Sequence, residues 1–216
     1  MESAYKKILK DLERLAASRV KPDIFGADHH GYVLNPALPE ATVRKFECDH
    51  KVTLPQDYRR FLIEAGNGGA GPYYGVFKLG EMDDGWGYSA WEENNGFVGS
   101  LSQPFPYREA WNDLTGEPDA DWEDEEAYER QLSAFEACYW NPEHVNGAIP
   151  ICHLGCALRQ WLIVTGPQAG HIWNDERADL RGLSPLTRKA AERVTFYQWY
   201  REWLDSALRN LQQASR

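Results

Sequence analysis

"LPQDYRRFLIEAGNGGAGPYYGVFKL", Leu54 to Leu79, decides the fold class. Its first half reads as a helix. Pro55 sits near the start, Asp57 lies in the first turn at the positive end of the dipole, and Tyr58, Phe61 and Leu62 share one stripe. Its second half contains Gly66-x-Gly68-x-x-Gly71, the glycine spacing of a dinucleotide-binding loop. That fingerprint requires a strand, then the glycines, then a helix whose N-terminus faces the pyrophosphate. Here the order is reversed: a helix comes first and "YYGVFKL" reads as a strand after the turn. The Gly-Lys-Ser/Thr of a P-loop is also missing. The glycines therefore read as a helix stop, with Gly66 able to take the left-handed conformation just past Ala65, and no cofactor is expected.

Upstream, Tyr5, Ile8, Leu9, Leu12 and Leu15 fall on one helical face, with Ser3 a candidate cap. A polar connection spans about Lys21 to Leu38, and "LPEATVRKFECDH" reads as a second helix opened by Pro39. Downstream, "DDGWGYSAWEENNG" reads as loop with short ordered pieces. A helix is expected from about Asp121 to Cys138, with a partial apolar stripe of Trp122, Ala127, Tyr128, Leu132 and Phe135. "GAIPI", "RQWLIVTG" and "GHIWND" read as three short strands, with Thr165 to Gly170 a hairpin turn. "TFYQWYREWLDSALRNL" is a closing helix that Thr195 can cap. With no internal repeat and no Ser/Pro-rich linker, the chain reads as one α+β domain over residues 1–216, carrying an acidic insertion at about 81–146.

The charge is segregated. Net charge over the 216 residues is −10. From Glu81 to Gly147 there are 17 acids against two bases, Arg108 and Arg130, a net of −15. The other 149 residues carry 16 acids and 21 bases, a net of +5. Such a segment repels nucleic-acid phosphates and attracts a basic protein, speeding encounter. The start of the chain is charged, without the apolar core of a signal peptide. No run approaches the ~18 apolar residues of a membrane span. A cytoplasmic, membrane-free protein with reduced cysteines is expected.

The blocks "LPQDYRRFLIEAGNGGAGPYYGVFKL", "GAIPICHLGCALRQWLIVTG", "GHIWND" and "FYQWYREWLD", in this order, resemble the SUKH superfamily. Its best-known members are fungal cell-wall-assembly regulators of the Smi/Knr type and their bacterial relatives. Leu54-Pro55, Tyr58, Phe61-Leu62, Asn67-Gly68-Gly69, Gly155, Gly166, Gly170 and Trp173 stand where the family pattern has such residues. The likeness covers about Pro39 to Leu79 and Asn146 to Leu204, and leaves out the acidic middle. It implies a mixed, mainly antiparallel sheet with helices packed around it. It also implies a non-enzymatic protein-binding role: a bacterial immunity protein that neutralises a toxin, often a nuclease, or a regulator or scaffold in cell-wall or stress signalling.

Other chemistries find weak support in the residues. Cys152-His153-x-x-Cys156, with His171, has half of a zinc spacing, but the second ligand cluster is missing. The cysteines lie at a strand-to-turn junction, where buried cysteines are common. No protease-like signature surrounds them, and neither G-x-S-x-G nor H-E-x-x-H occurs. Asp83-Asp84 and the carboxylates after Asp119 lack a calcium-loop pattern. The candidate site is therefore a protein-binding one: Asp119, Asp121, Trp122, Glu123, Asp124, Glu125, Glu126 and Glu129, flanked by Trp111, Tyr128 and Trp140. Its acids would mimic nucleic acid before a basic cleft, and its aromatics would anchor the centre. The plainer alternative is a solvated acidic helix.

Overall fold

The computed structural model describes residues 4–19, 22–83, 88–91, 97–119 and 124–214. Helix α1 (Ala4–Ala17) is followed by a single turn of helix, α2 (Ala27–His30), and by α3 (Glu40–His50) and α4 (Gln56–Glu64). A hairpin of β1 (Glu81–Asp83) and β2 (Tyr88–Ala90) precedes α5 (Glu125–Tyr139). The main sheet is an antiparallel meander in the order β3 (Ala148–Gly155), β4 (Leu158–Ile163), β5 (Ile172–Asp175), β6 (Leu183–Pro185). Helix α6 (Phe196–Ala214) closes the architecture. This is an α+β fold, as expected. Among the described residues no helix is long and apolar enough to cross a membrane.

Helix α1 buries Tyr5, Ile8, Leu12 and Leu15 of the expected stripe and half-buries Leu9, while the cap candidate Ser3 lies outside the described residues. Helix α4 buries Tyr58, Phe61 and Leu62, and α6 buries Phe196, Trp199, Tyr200, Leu204, Ala207 and Leu211. The three meet through edge-on aromatic contacts: Phe196 lies 4.9 Å from Tyr58 and 5.1 Å from Phe61 between ring centroids. Asp57 joins them at their ends. One carboxylate oxygen accepts from the Tyr58 N–H of α4 at 2.8 Å, and the other accepts from the Tyr197 N–H of α6 at 2.9 Å. The Asp57 carbonyl accepts from the Tyr5 hydroxyl of α1 at 2.6 Å. Two helix N-termini thus share one anion, the arrangement the helix dipole favours. Thr195 caps α6 as half of a reciprocal box: Gln198 accepts from the Thr195 N–H at 2.9 Å, and the Thr195 hydroxyl accepts from the Gln198 N–H at 3.4 Å.

The glycine-rich turn departs from its expected mechanics in two places. Helix α4 does stop at Glu64, but Gly66 is not left-handed. It is small because a Cβ there would lie 2.5 Å from the Asn35 carbonyl oxygen and 2.8 Å from the Leu34 Cβ. The left-handed residues are Gly68 (φ 73) and Gly69 (φ 99), which turn the chain so that Gly69 and Val76 exchange both backbone hydrogen bonds at 2.8 Å. The segment "YYGVFKL" is not a regular strand. It runs beside β3, with the Phe77 N–H on the Ile151 carbonyl at 3.0 Å, but left-handed Tyr73 (φ 53) and Gly75 (φ 104) break the pleat. Val76 instead makes isolated bridges to Gly69 and to Cys152. Strand β6 was not anticipated: three residues give too short a pattern to read.

The sheet is apolar on both faces. Ile149, Ile151, Leu162 and Ile172 belong to the cluster that contains the helix residues. Ala148, Trp161, Ile163, Trp173 and Leu183 point the other way and form a second cluster with Phe105 and Val145. Alternation along each strand makes this split. A buried polar tie crosses from the first face to α6: Gln160 accepts from the Trp199 indole N–H at 2.8 Å and donates to Asn174 at 2.9 Å.

His30 lies in the α1–α3 connection, edge-on to Trp203 of α6 at 5.6 Å and to Tyr32 at 5.5 Å. Its Nδ1 accepts the Tyr32 N–H at 3.0 Å. Burial lowers its pKa to about 4, with the Gly71 carbonyl opposing and His29 adding to the effect. The unfolded chain therefore takes up the proton first, and stability falls as pH drops from about 6.5 to about 4. Urea midpoints across that window should decline in the parent and decline less in His30→Asn. Asp57→Ala should cost about 1–2 kcal/mol at neutral pH, read from equilibrium urea unfolding.

Candidate protein-binding face

The second face of the sheet is covered by the acidic segment itself. Phe105 packs edge-on to Trp173 at 4.7 Å, and its N–H donates to the Thr165 carbonyl at 2.9 Å. Trp111 and Leu183 of β6 exchange both backbone hydrogen bonds at 2.8 Å, so the segment extends the sheet edge by one bridge. Asn112 then holds two partners: it donates to the Leu180 carbonyl at 2.8 Å and accepts from the Tyr139 hydroxyl of α5 at 2.7 Å. The insertion is a third layer, not an appended loop.

Helix α5 starts at Glu125, with Asp124 as its cap accepting from the Ala127 N–H at 3.0 Å. Only Phe135 and Tyr139 are buried along it. A stack of rings holds its C-terminal end: Phe135 on Tyr139 (5.0 Å), Tyr139 on Trp111 (5.5 Å), Trp111 on His144 (4.1 Å). The His144 Nε2–H donates to the Cys138 carbonyl at 2.9 Å, so Nδ1 accepts from the Tyr107 hydroxyl. Burial lowers the His144 pKa and raises that of Tyr107 to about 12. Both groups are thereby kept neutral beneath the charged surface.

The fastening is a buried ion pair. Arg177 and Asp175 are each 2% exposed and meet in a fork, Nε to Oδ1 at 2.9 Å and Nη2 to Oδ2 at 2.7 Å. The Trp161 indole N–H donates to the same carboxylate at 3.0 Å. The outer side of the guanidinium donates to the Tyr139 carbonyl at 3.4 Å and lies over the Trp140 ring at 4.8 Å. A cation thus sits at the C-terminus of α5, where the dipole favours it, while Asp124, Glu125 and Glu126 sit at the N-terminus.

Every described carboxylate of the segment from Glu109 to Glu143 is exposed. Asp119, Asp124, Glu125, Glu126 and Glu129 of the expected site are among them, and the cap and first turns of α5 bring the last four together. Asp121, Trp122 and Glu123 lie outside the described residues, as does Asp84. Arg130 pairs with Glu126 at 2.8 Å in full solvent, which does little to neutralise the surface.

The expected aromatic anchors are mostly spent elsewhere. Trp111 is committed to the ring stack and the β6 bridge, and Trp140 to Arg177 and to Phe97, 6.4 Å away. Exposed aromatics occur instead at Phe25, Tyr73 and Phe97. The four residues of the zinc reading do not converge: among the described residues no group of three or more His, Cys, Asp or Glu could hold a metal ion. Cys152 is buried with its thiol on the Pro72 carbonyl at 3.2 Å, and Cys156 is exposed in the β3–β4 turn. Arg177 went unread, although period-two alternation from Trp173 puts Asp175 on the buried face, where a carboxylate requires a cation.

The chain matches no family model, no curated protein and no solved structure.

Removing Arg177 leaves Asp175 buried without its counter-charge. Arg177→Ala should cost about 3–5 kcal/mol. In urea titrations it should loosen the α5 layer, seen as faster amide exchange at Phe135 to Tyr139.

Proposed function

We propose that this chain is a non-enzymatic binding module that occludes a basic protein domain with the outer surface of its acidic layer. One observation carries the reading. Phe105, Val145 and the partly buried Trp111 pack the segment onto the sheet, while every described carboxylate from Glu109 to Glu143 faces solvent, four of them gathered at the capped start of a helix whose C-terminal end is held by Arg177. A merely solvated insertion has no need of a buried ion pair and a ring stack beneath it. A fixed array of like charges stores repulsion that an oppositely charged partner relieves.

The SUKH resemblance supports the same class of role. The residues that carry it, such as Gly69 and Trp173, serve the turn and the core, which leaves the added acidic layer free to differ from member to member. We read the chain as immunity-type, with a toxin domain such as a nuclease as the partner.

The test is co-expression with the product of the neighbouring gene, followed by titration of the purified pair. A stoichiometric complex is expected whose affinity falls about tenfold or more between 50 and 500 mM NaCl. Glu125→Gln/Glu126→Gln/Glu129→Gln should slow association and flatten the salt dependence. A complex equally tight at both salt concentrations would remove the acidic layer from the interface.

A further inference from the structure

We infer that the partner is gripped at a second place: an aromatic strip that starts at the glycine-rich turn and runs to the C-terminal end of α5. The inference rests on the occlusion reading above and names the part of the surface that supplies its apolar centre.

The strip is two sets of ring contacts joined across the β3–β4 pair. Phe25, 61% exposed, lies edge-on to Tyr74 at 5.3 Å and to Tyr73 at 6.4 Å. Tyr74 rests on His153 at 5.2 Å. His153 is the direct cross-strand neighbour of Arg159, whose guanidinium lies over the exposed Phe97 ring at 5.7 Å. Phe97 meets Trp140, the residue that ends α5. The strip thus ends within the acidic layer, at the C-terminal end of α5.

The backbone is bent to present these rings. Tyr73 is left-handed (φ 53), and so are both turn residues of the β3–β4 hairpin, Cys156 (φ 50) and Ala157 (φ 61). Gly26 brings Phe25 against this loop: a Cβ there would stand 2.2 Å from the Tyr73 carbonyl oxygen. Positive φ at Cys156 and Ala157 is what a two-residue hairpin turn requires, whereas left-handed Tyr73 is costly, and such strain persists at contact sites. An exposed Phe held by a strained neighbour is not the scattered apolar residue of an ordinary surface.

Charge selects the occupant. Exposed Asp23 and Asp28 flank Phe25 in the chain at the near end. Exposed Glu136 and Glu143 flank Trp140 in the chain at the far end. The two arginines along the strip are buried, Arg177 in its pair and Arg159 with its guanidinium on the Ala157 carbonyl at 3.0 Å. An apolar centre with an anionic border fits a protein surface on which an apolar or aromatic side chain is ringed by Lys and Arg.

The experiment places the photo-crosslinking residue p-benzoyl-phenylalanine at Phe25, at Glu129 on α5, or at the exposed Glu13 on α1, in cells that make this protein. Mass spectrometry maps each adduct. Adducts to one basic protein are expected at the first two positions and not at Glu13. The Phe25 adduct should fall on an apolar side chain flanked by Lys or Arg. With that partner purified, Phe25→Ser and Tyr73→Asn should each weaken binding about tenfold or more with unchanged thermal midpoints. Asn tolerates the left-handed backbone at position 73. An adduct at Glu129 alone, or full affinity in both variants, overturns the strip and leaves the acidic face standing. Absence of adducts at both positions overturns the reading on which it rests.

Discussion

A four-stranded sheet with two greasy faces cannot stand in water, and the rest of this molecule answers that constraint. Trp161 and Trp173 point one way while Leu162 and Ile172 point the other. Leaving either set exposed forfeits about 2–3 kcal/mol for each large side chain. Three helices cover one face, joined at their ends by Asp57. The opposite face is covered by the most acidic third of the chain. Charge and fold are therefore not separable here: the carboxylates are the solvent side of a layer whose underside the sheet requires.

That layer has to survive its own repulsion. It does so by placing neutral or compensated groups where water is absent. His144 keeps a single ring proton and spends it on the Cys138 carbonyl, and the Tyr107 hydroxyl completes the ring's bonding. Arg177 brings a cation to the helix's last carbonyl, that of Tyr139, and its own charge is met by Asp175. Orientation also helps, since α5 has its acids at the N-terminal end and the guanidinium at the other.

Period and punctuation made much of this readable beforehand. The stripes of α1, α4 and α6, the helix stop before the glycines, and three of the four main strands follow from local chemistry that acts within a few residues. The charge imbalance located the candidate face, and α5 began four residues later than its apolar stripe suggested, at the point where Asp124 supplies a cap. What escaped the sequence was non-local. Val76 bridges to Cys152 instead of joining a regular ladder because left-handed Tyr73 and Gly75 intervene. Trp111 and Trp140 look like surface anchors in a linear reading, yet residues far along the chain, Leu183 and Arg177, claim them. Phe25 meets Tyr73 and Tyr74 through a close approach of two backbones that Gly26 permits.

The chain order of the layers has a kinetic corollary. The acidic layer lies between β2 and β3, so the lid is spelled out before the strands it will shelter, whereas α6 comes after all of them. A chain emerging from the ribosome carries the blanket for the tryptophan side and two of the three helices for the isoleucine side, α1 and α4, before the strands appear. Native pairing of Tyr197 with Asp57 spans 140 positions, a separation that slows closure. The vulnerable interval in this protein's life is the time between the appearance of β6 and the arrival of the last helix.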